Sequence, residues 1–272
     1  MKYLVAVSGG VDSVVLLHRL VQQKNADIVV AHFDHGIREN SGEDEQFVRS
    51  LAASYGVPYV SERRALGARA SEATARQHRY DFLQRQAALH DATIVTAHHL
   101  DDLVETIAIN LHRGTGWRGL AVFGANIERP LLHWQKDELI SYARHTQLQW
   151  REDPTNSSDA YLRNRIRKKA LALNADQKRQ LHALQATQTA LRKEIDKEVS
   201  ALVGTGPRYR RYIFISLPAS VALECLRAIT GGLLTRPQAQ RLLHAIKTAP
   251  SGKTYEASKA IKVQFSARYF TV

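Results

Sequence analysis

Through its first half the chain alternates short apolar runs with stretches of helical periodicity. The runs are 3–7 (YLVAV), 27–33 (DIVVAHF), one beginning at 57–60 and 92–97 (ATIVTA). Helical segments over about 14–20, 42–55, 71–89 and 100–112 follow them. Strand and helix joined this closely form right-handed βαβ units, so the pattern predicts a parallel sheet wound on both faces, a Rossmann-like α/β fold. Such sheets bind ligands beyond the carboxyl ends of their strands. The polar clusters of this chain follow strand ends.

From about 170 to 203 the pattern changes to a long polar helix without Gly or Pro, suited to a connector or arm. Gly204-Thr205-Gly206-Pro207 interrupts it. Beyond lie an expected strand at 212–217, helices at 218–229 and 236–249, and closing strands at 260–265 and 269–272, a small α+β module. The expected division is a catalytic domain over 1–172, a helical connector over 173–203 and a basic domain over 204–272. From Thr205 onward the chain has eleven Lys or Arg against two acids, Glu224 and Glu256, which is +9 of its net +12. Such a module attracts polyanions, of which nucleic acid is the commonest in a cytoplasm; a merely solvated basic surface is the competing reading.

Cys225 is the single cysteine, so no disulfide or CxxC pair forms within the chain. No apolar run approaches the ~20 residues of a membrane crossing, and five apolar residues before Ser8 are too few for a secretory signal. A reducing cytoplasm and no membrane are expected.

The most specific local feature is Ser8-Gly9-Gly10-Val11-Asp12-Ser13, between a strand and a helix. Glycines let backbone amides close around a phosphate, and the helix N-terminus adds a positive dipole end. Ser8 and Ser13 supply hydroxyls. Asp12 is a candidate magnesium ligand. A capped strand–helix turn would look similar, but no GxxxxGK[ST] is present, so this is not the usual γ-phosphate loop. The hexapeptide resembles the loop of the N-type ATP pyrophosphatases. That resemblance implies a grip on the pyrophosphate of ATP while a substrate oxygen attacks the α-phosphate.

Further stretches resemble one branch of that group, the tRNA(Ile)-lysidine synthetases. They are His32-Phe33-Asp34-His35-Gly36-Ile37-Arg38, the helix Glu72-Ala73-Thr74-Ala75-Arg76-Gln77-His78-Arg79-Tyr80, and His98-His99-Leu100-Asp101-Asp102-Leu103-Val104-Glu105-Thr106. Arg113-Gly114-Thr115-Gly116, Arg129-Pro130-Leu131-Leu132, Glu152-Asp153-Pro154-Thr155-Asn156 and Arg163-Asn164-Arg165-Ile166-Arg167 follow in the family's order. The likeness covers residue 1 to about 169, and the chain looks like a short form with one C-terminal module. It implies replacement of the 2-oxygen of a wobble cytidine by the ε-amine of free L-lysine, on the isoleucine tRNA with a CAU anticodon. ATP and Mg2+ would be used; AMP and pyrophosphate would be released. The family usually has Gln where this chain has Leu103.

For the helix after His98, a 3.6-residue period sets Leu100, Val104, Ile107 and Leu111 on one stripe. Asp101, Asp102 and Glu105 share the other side with His98, a crowding of acids that a cationic ligand would relieve; a solvated acidic face is the plainer reading. These three acids are the candidate lysine-binding residues, and Asp12, Asp34, Asp102 and Arg113 the candidate catalytic ones. His35, His98 or His99 can accept the amine's proton. Arg113 neutralises charge at the α-phosphate or simply caps its helix. Arg76 and Arg79 bind RNA phosphate or pair with Glu72. Arg163, Arg165, Arg167, Lys168 and Lys169 form a further candidate tRNA contact. Trp117, Trp134 and Trp150 are expected in the core. A homodimer is a possible assembly. Competing functions are tRNA thiolation, which needs cysteines this chain lacks, small-molecule amidation, which needs an ammonia source, and non-catalytic RNA binding, which leaves the phosphate loop unexplained.

Overall fold

A computed structural model describes residues 1–23, 26–36, 41–65, 67, 71–124, 126–152 and 173–272, with the side chains of Ser41 and Glu72 outside that description. The chain divides into two compact units, Met1–Thr189 and Ala190–Val272. The division falls within a helix.

In the first unit five parallel strands, β1 (Lys2–Ala6), β2 (Asp27–Asp34), β3 (Tyr59–Arg63), β4 (Thr93–Val95) and β5 (Ile127–Glu128), lie in the order β3-β2-β1-β4-β5. The expected Rossmann-like sheet is present. Helices α1 (Val11–Val21), α2 (Ser41–Ser54) and α5 (Lys136–His145) accompany α3 (Glu72–His90), α4 (Leu100–His112) and the long α6 (Ala175–Val203). Both faces of the sheet are covered. Val5 and Val30 pack among Val15, Leu16, Val48 and Leu139 on one side, and their neighbours Leu4 and Val29 meet Phe82 and Leu83 of α3 on the other. Strand side chains alternate between faces, so each central strand supplies both cores at once.

Two boundaries differ from expectation for identifiable reasons. Residues 57–58 do not begin β3: Gly56 takes φ +65° and the Val57 amide donates to the Ala52 carbonyl at 3.1 Å, which closes the end of α2. Strand β5 is two residues long, too short for any periodicity to register. Helix α5 also has no counterpart among the expected elements.

The second unit holds an antiparallel sheet of β6 (Arg208–Arg210), β7 (Thr254–Ser258), β8 (Ile261–Phe265) and β9 (Tyr269–Thr271), ordered β6-β9-β8-β7. Helices α7 (Arg211–Ser216), α8 (Ala219–Ile229) and α9 (Arg236–Thr248) belong with it. The strand expected at 212–217 is a correction: this stretch is mostly α7, and the sheet takes residues 208–210 instead. A six-residue apolar run fits either state. Here the three-residue spacing of Arg211, Phe214 and Leu217 puts them together against the core, while Tyr212 and Ile215 are exposed. Among the described residues Arg211 is buried without a carboxylate; its guanidinium donates to the carbonyls of Ile246 (2.7 Å), Ala249 (2.8 Å) and Ser266 (3.0 Å), tying α7 to the end of α9 and to the β8–β9 turn. Strand β7 was also absent from the sequence reading. Among the described residues, no helix is long and apolar enough to cross a membrane.

Replacing Arg211 by Met keeps the stem and strands three buried carbonyls, each bond to a charged donor contributing about 1.5–3 kcal/mol. Urea unfolding followed by far-ultraviolet circular dichroism should show a loss of about 2–4 kcal/mol in the second unit, with unchanged fluorescence from the three tryptophans of the first.

Candidate functional site

In a sheet ordered 3-2-1-4-5 the chain leaves β1 toward one edge and returns to β4 on the other side, so the loops after β1 and β4 part and leave a crevice. A cavity of about 830 Å³ opens there. The Ser8–Ser13 loop, Asp34 and His35 at the end of β2, His98 and Asp102 beyond β4, and Arg76 and Arg79 of α3 all line it.

Gly9 has φ +92°, a conformation that favours glycine, and a Cβ there would meet Phe47 and Val48 in ordinary contact at 3.4–3.5 Å, so the strain of a substitution comes from the backbone. Its carbonyl accepts the Arg151 amide at 2.9 Å. Ser13 Oγ donates to the Gly10 carbonyl (2.8 Å) and accepts the Ser8 amide (3.2 Å), so this hydroxyl holds the loop's shape. Gly10 precedes α1 without a side-chain cap. The first-turn amides are those a helix cannot satisfy internally, which makes them available to an anion.

Asp12, one residue into α1, meets Lys136 Nζ at 2.7 and 2.8 Å. Lys136 opens α5, where a cation opposes the helix dipole; Asp12 offsets that penalty. The Lys136 amide donates to Asp101 Oδ2 at 2.8 Å and Lys178 Nζ donates to Asp101 Oδ1 at 2.5 Å. Burial pushes the Asp101 carboxyl up, but the Lys178 hydrogen bond, the Lys136 amide and nearby positive charge together hold it below the usual carboxylate value. Asp102 differs. Burial raises it, with the charges of Asp12 and Glu105 adding to the rise and His99 opposing it. Buried His99 stands among Asp102 (3.4 Å), Asp101 (3.6 Å) and Asp12 (3.8 Å), and its own amide donates to Asp102 at 3.1 Å.

The three acids of α4 therefore do not share one open face. Asp102 lines the cavity, Asp101 is taken up by Lys136 and Lys178, and Glu105 is buried beside Leu103 and Val104. The expected apolar stripe is buried at Leu100, Val104 and Ile107 and is joined by Leu103, whereas Leu111, in the last turn, is 53% exposed. Leu103 packs with Val122 and Phe123, so an apolar pocket stands where the family's amide would be.

Burial, with the positive charge of Arg129, Arg76 and Arg79, pushes His98 down to about 2, and its Nδ1 lies 2.8 Å from Thr96 Oγ1. Burial and Arg79 also lower His35. Asp34 accepts the Gly36 amide at 2.8 Å and lies 3.3 Å from Arg63 Nε. Arg76 and Arg79 sit over the Tyr80 ring at 4.8 and 5.6 Å. Arg113 is not brought to the cavity. It is the exposed C-cap of α4, its amide on the Ile109 carbonyl, and eleven residues of helix set it ~16 Å along the axis from Asp102. Arg163, Arg165, Arg167, Lys168 and Lys169 lie outside the described residues. Trp134 and Trp150 pack on the core of the first unit, and Trp117 is half-buried under Arg118.

Lys136, Lys178 and His99 in the role of a three-carboxylate hub were not foreseen. For Lys136 the missed signal was helix α5 itself, which a lysine opens against the dipole; for Lys178, thirty-three positions beyond the end of α5, there was none.

A family model described as the PP-loop domain matches residues 1–173. A tRNA(Ile)-lysidine synthase from Thermus thermophilus is 36% identical over 257 residues, covering 88% of this chain and 50% of that protein. One from Exiguobacterium sibiricum is 40% identical over 180 residues, 64% of this chain and 43% of that protein. The chain thus spans about half the length of the curated relatives it matches. Among solved structures, a U34-tRNA thiolase from Methanococcus maripaludis superposes with a TM-score of 0.59 at 18% identity, covering 70% of this chain and 72% of that one, a likeness of fold.

The two neighbouring aspartates should respond oppositely to neutralisation. Asp101 has a lowered value in the fold, so its ionised form contributes stability above the unfolded carboxylate value, lost as pH falls through the folded one. Asp102 has a raised value, so at neutral pH its charge costs stability, and the cost fades as acid protonates it. Thermal melts at pH 7 should show Asp101→Asn destabilised by about 2 kcal/mol and Asp102→Asn unchanged or stabilised. Equal losses in both would contradict this electrostatic arrangement.

Proposed function

The chain belongs to the PP-loop domain family, and from that premise we propose that it uses ATP to join L-lysine to carbon 2 of the wobble cytidine in the isoleucine tRNA with a CAU anticodon. One observation carries the reading: a single cavity is lined by the Ser8–Ser13 cradle, Asp12, the raised carboxyl of Asp102 and the arginines of α3. An anion site, a proton acceptor and cationic walls are what adenylation followed by amine attack demands. The names of the relatives from Thermus and Exiguobacterium support it.

In this reading the outer phosphates of ATP rest on the loop and first-turn amides. The 2-oxygen of the cytosine bonds to the α-phosphorus as the bond to the bridging oxygen breaks, and pyrophosphate leaves with the electron pair. The lysine amine, having given one proton to the protein, adds at carbon 2; the carbon–oxygen bond breaks and AMP departs with that oxygen. Arg76 and Arg79 face the anionic parts of nucleotide or RNA. Asp102 is suited to hold the ammonium and take its proton, because its raised value makes it a stronger base than an ordinary carboxylate. His98, held neutral near 2, is too weak a base for that step and suits hydrogen bonding to the pyrimidine instead. Asp101 and Glu105 act by holding α4 and the charge balance around Asp102. Asp34, at the cavity edge, is a second acid for the ammonium.

Magnesium fits the donor set. Among the described residues no group of three or more His, Cys, Asp or Glu makes a metal cage, but nucleotide-bound magnesium needs one or two carboxylates together with phosphate oxygens. Asp12 would hold it, with Lys136 released from that carboxylate, and the ion would neutralise charge on the phosphates. The basic module after Gly204 would bind the tRNA body, and a cytoplasmic setting suits the substrates. Sulfur transfer has less support, because the lone Cys225 is buried in the second unit.

The test is transfer of labelled lysine to CAU-anticodon transcripts, with AMP measured in parallel. Asp12→Asn should nearly abolish AMP formation. Asp102→Asn should keep nucleotide binding and lower lysine transfer by about 10²–10⁴-fold, the usual contribution of a positioned proton acceptor. Wild-type rates of transfer in both variants, or incorporation of sulfur or ammonia in place of lysine, would overturn the assignment.

A further inference from the structure

The antiparallel sheet of the second unit has one packed and one exposed face. Tyr209, Phe270, Ile261, Val263, Phe265 and Ala257 turn inward against α8 and α9. With strand side chains alternating, the register brings Arg208, Thr271, Gln264 and Thr254 into one row across all four strands on the other face. Two further pairs flank that row on opposite sides, Arg210 with Tyr269 on one and Lys262 with Glu256 on the other. The positive charge of the face gathers toward the β6 edge, since Lys262 stands opposite an acid while Arg208 and Arg210 stand opposite Thr271 and Tyr269. The Arg208 guanidinium lies 3.9 Å from the centroid of the Tyr269 ring.

We propose that this face, centred on Arg208 laid over Tyr269, is where the second unit grips the sugar-phosphate backbone and an unstacked base of its RNA. The proposal rests on the RNA substrate argued above and assigns the surface that meets it. The chemistry matches on three counts. The two arginines of β6 are two residues apart, ~6.6 Å along the strand, and offer fork-shaped donors to phosphate oxygens. A guanidinium already held flat on an aromatic ring leaves its other plane for a base, with less side-chain freedom to lose on binding. The Thr271, Gln264 and Thr254 row supplies neutral donors and acceptors for ribose hydroxyls and base edges. No apolar side chain stands in that row, which counts against a lipid surface.

The test is binding of the full chain, without ATP or lysine, to a CAU-anticodon transcript and to an unrelated tRNA over a salt series. Arg208→Ala with Arg210→Ala should weaken both by tenfold or more and lower the slope of log affinity against log salt by about 1.4–1.8. Arg241→Ala with Lys247→Ala, two exposed cations of α9 on the packed side, should change affinity by threefold or less. Arg208→Lys should keep the slope yet lose several-fold in affinity, as should Tyr269→Leu, because charge remains while stacking is lost. Unchanged binding in the β6 double variant, an equal loss in the α9 control, or an effect confined to phosphatidylglycerol vesicles would overturn the proposal. Failure of lysine transfer would leave it standing, since no chemistry is read.

Discussion

The parting of the chain on either side of β1 is the constraint on which the first unit depends. A parallel sheet buried on both faces must send its crossovers over both, and where the direction changes, between β1 and β4, no helix can cover the strand ends. Everything polar that the first unit uses converges there: the glycine turn after β1, Asp34 after β2 and the His98–Asp102 stretch after β4. The apolar packing of Leu4 and Val5 onto opposite cores holds these loop origins rigid. A site built on strand ends keeps its geometry better than one built on long loops.

Charge balance is the second organising force. Three carboxylates, Asp12, Asp101 and Asp102, each stand within 4 Å of the His99 ring. Two lysines from different parts of the sequence, Lys136 and Lys178, compensate two of the carboxylates. The third, Asp102, receives no lysine among these contacts, and burial drives its value upward. Adjacent carboxylates on one helix thus shift in opposite directions through their surroundings alone. The same principle governs His98, whose burial among arginines keeps it neutral.

The second unit uses a buried cation differently. Arg211 satisfies three backbone carbonyls at the junction of α7, α9 and the β8–β9 turn. Main-chain acceptors at helix ends would otherwise need water. The basic composition of this module is therefore not all available to a partner. Some of it is structural, and what remains at the surface is sorted by the strand register into a cationic edge and a neutral polar row.

Much of the first unit was readable without coordinates, because apolar runs, helical periodicity and the glycine turn are local signals. The alternation of strands and helices specified the parallel sheet; Ser8-Gly9-Gly10 specified the turn, since Gly9 needs a backbone angle that other residues resist. Local signals failed where two states share one pattern, as at α7, or where an element is too short to repeat, as at β5. On α4 they placed the buried side at Leu100, Val104 and Ile107 but missed its edges, because the last turn runs past the core and Leu111 meets water while Leu103 does not. The partners of charged groups belong to another class. Lys136 on Asp12, Lys178 on Asp101 and Arg211 on three carbonyls join positions tens to more than a hundred residues apart. The order of residues by itself determined the architecture and the glycine turn after β1, whose causes lie within a few positions. Only the tertiary structure decided which acid is paired with lysine and which is not among these contacts, because electrostatic energy depends on distance and burial in space, quantities that sequence separation does not encode.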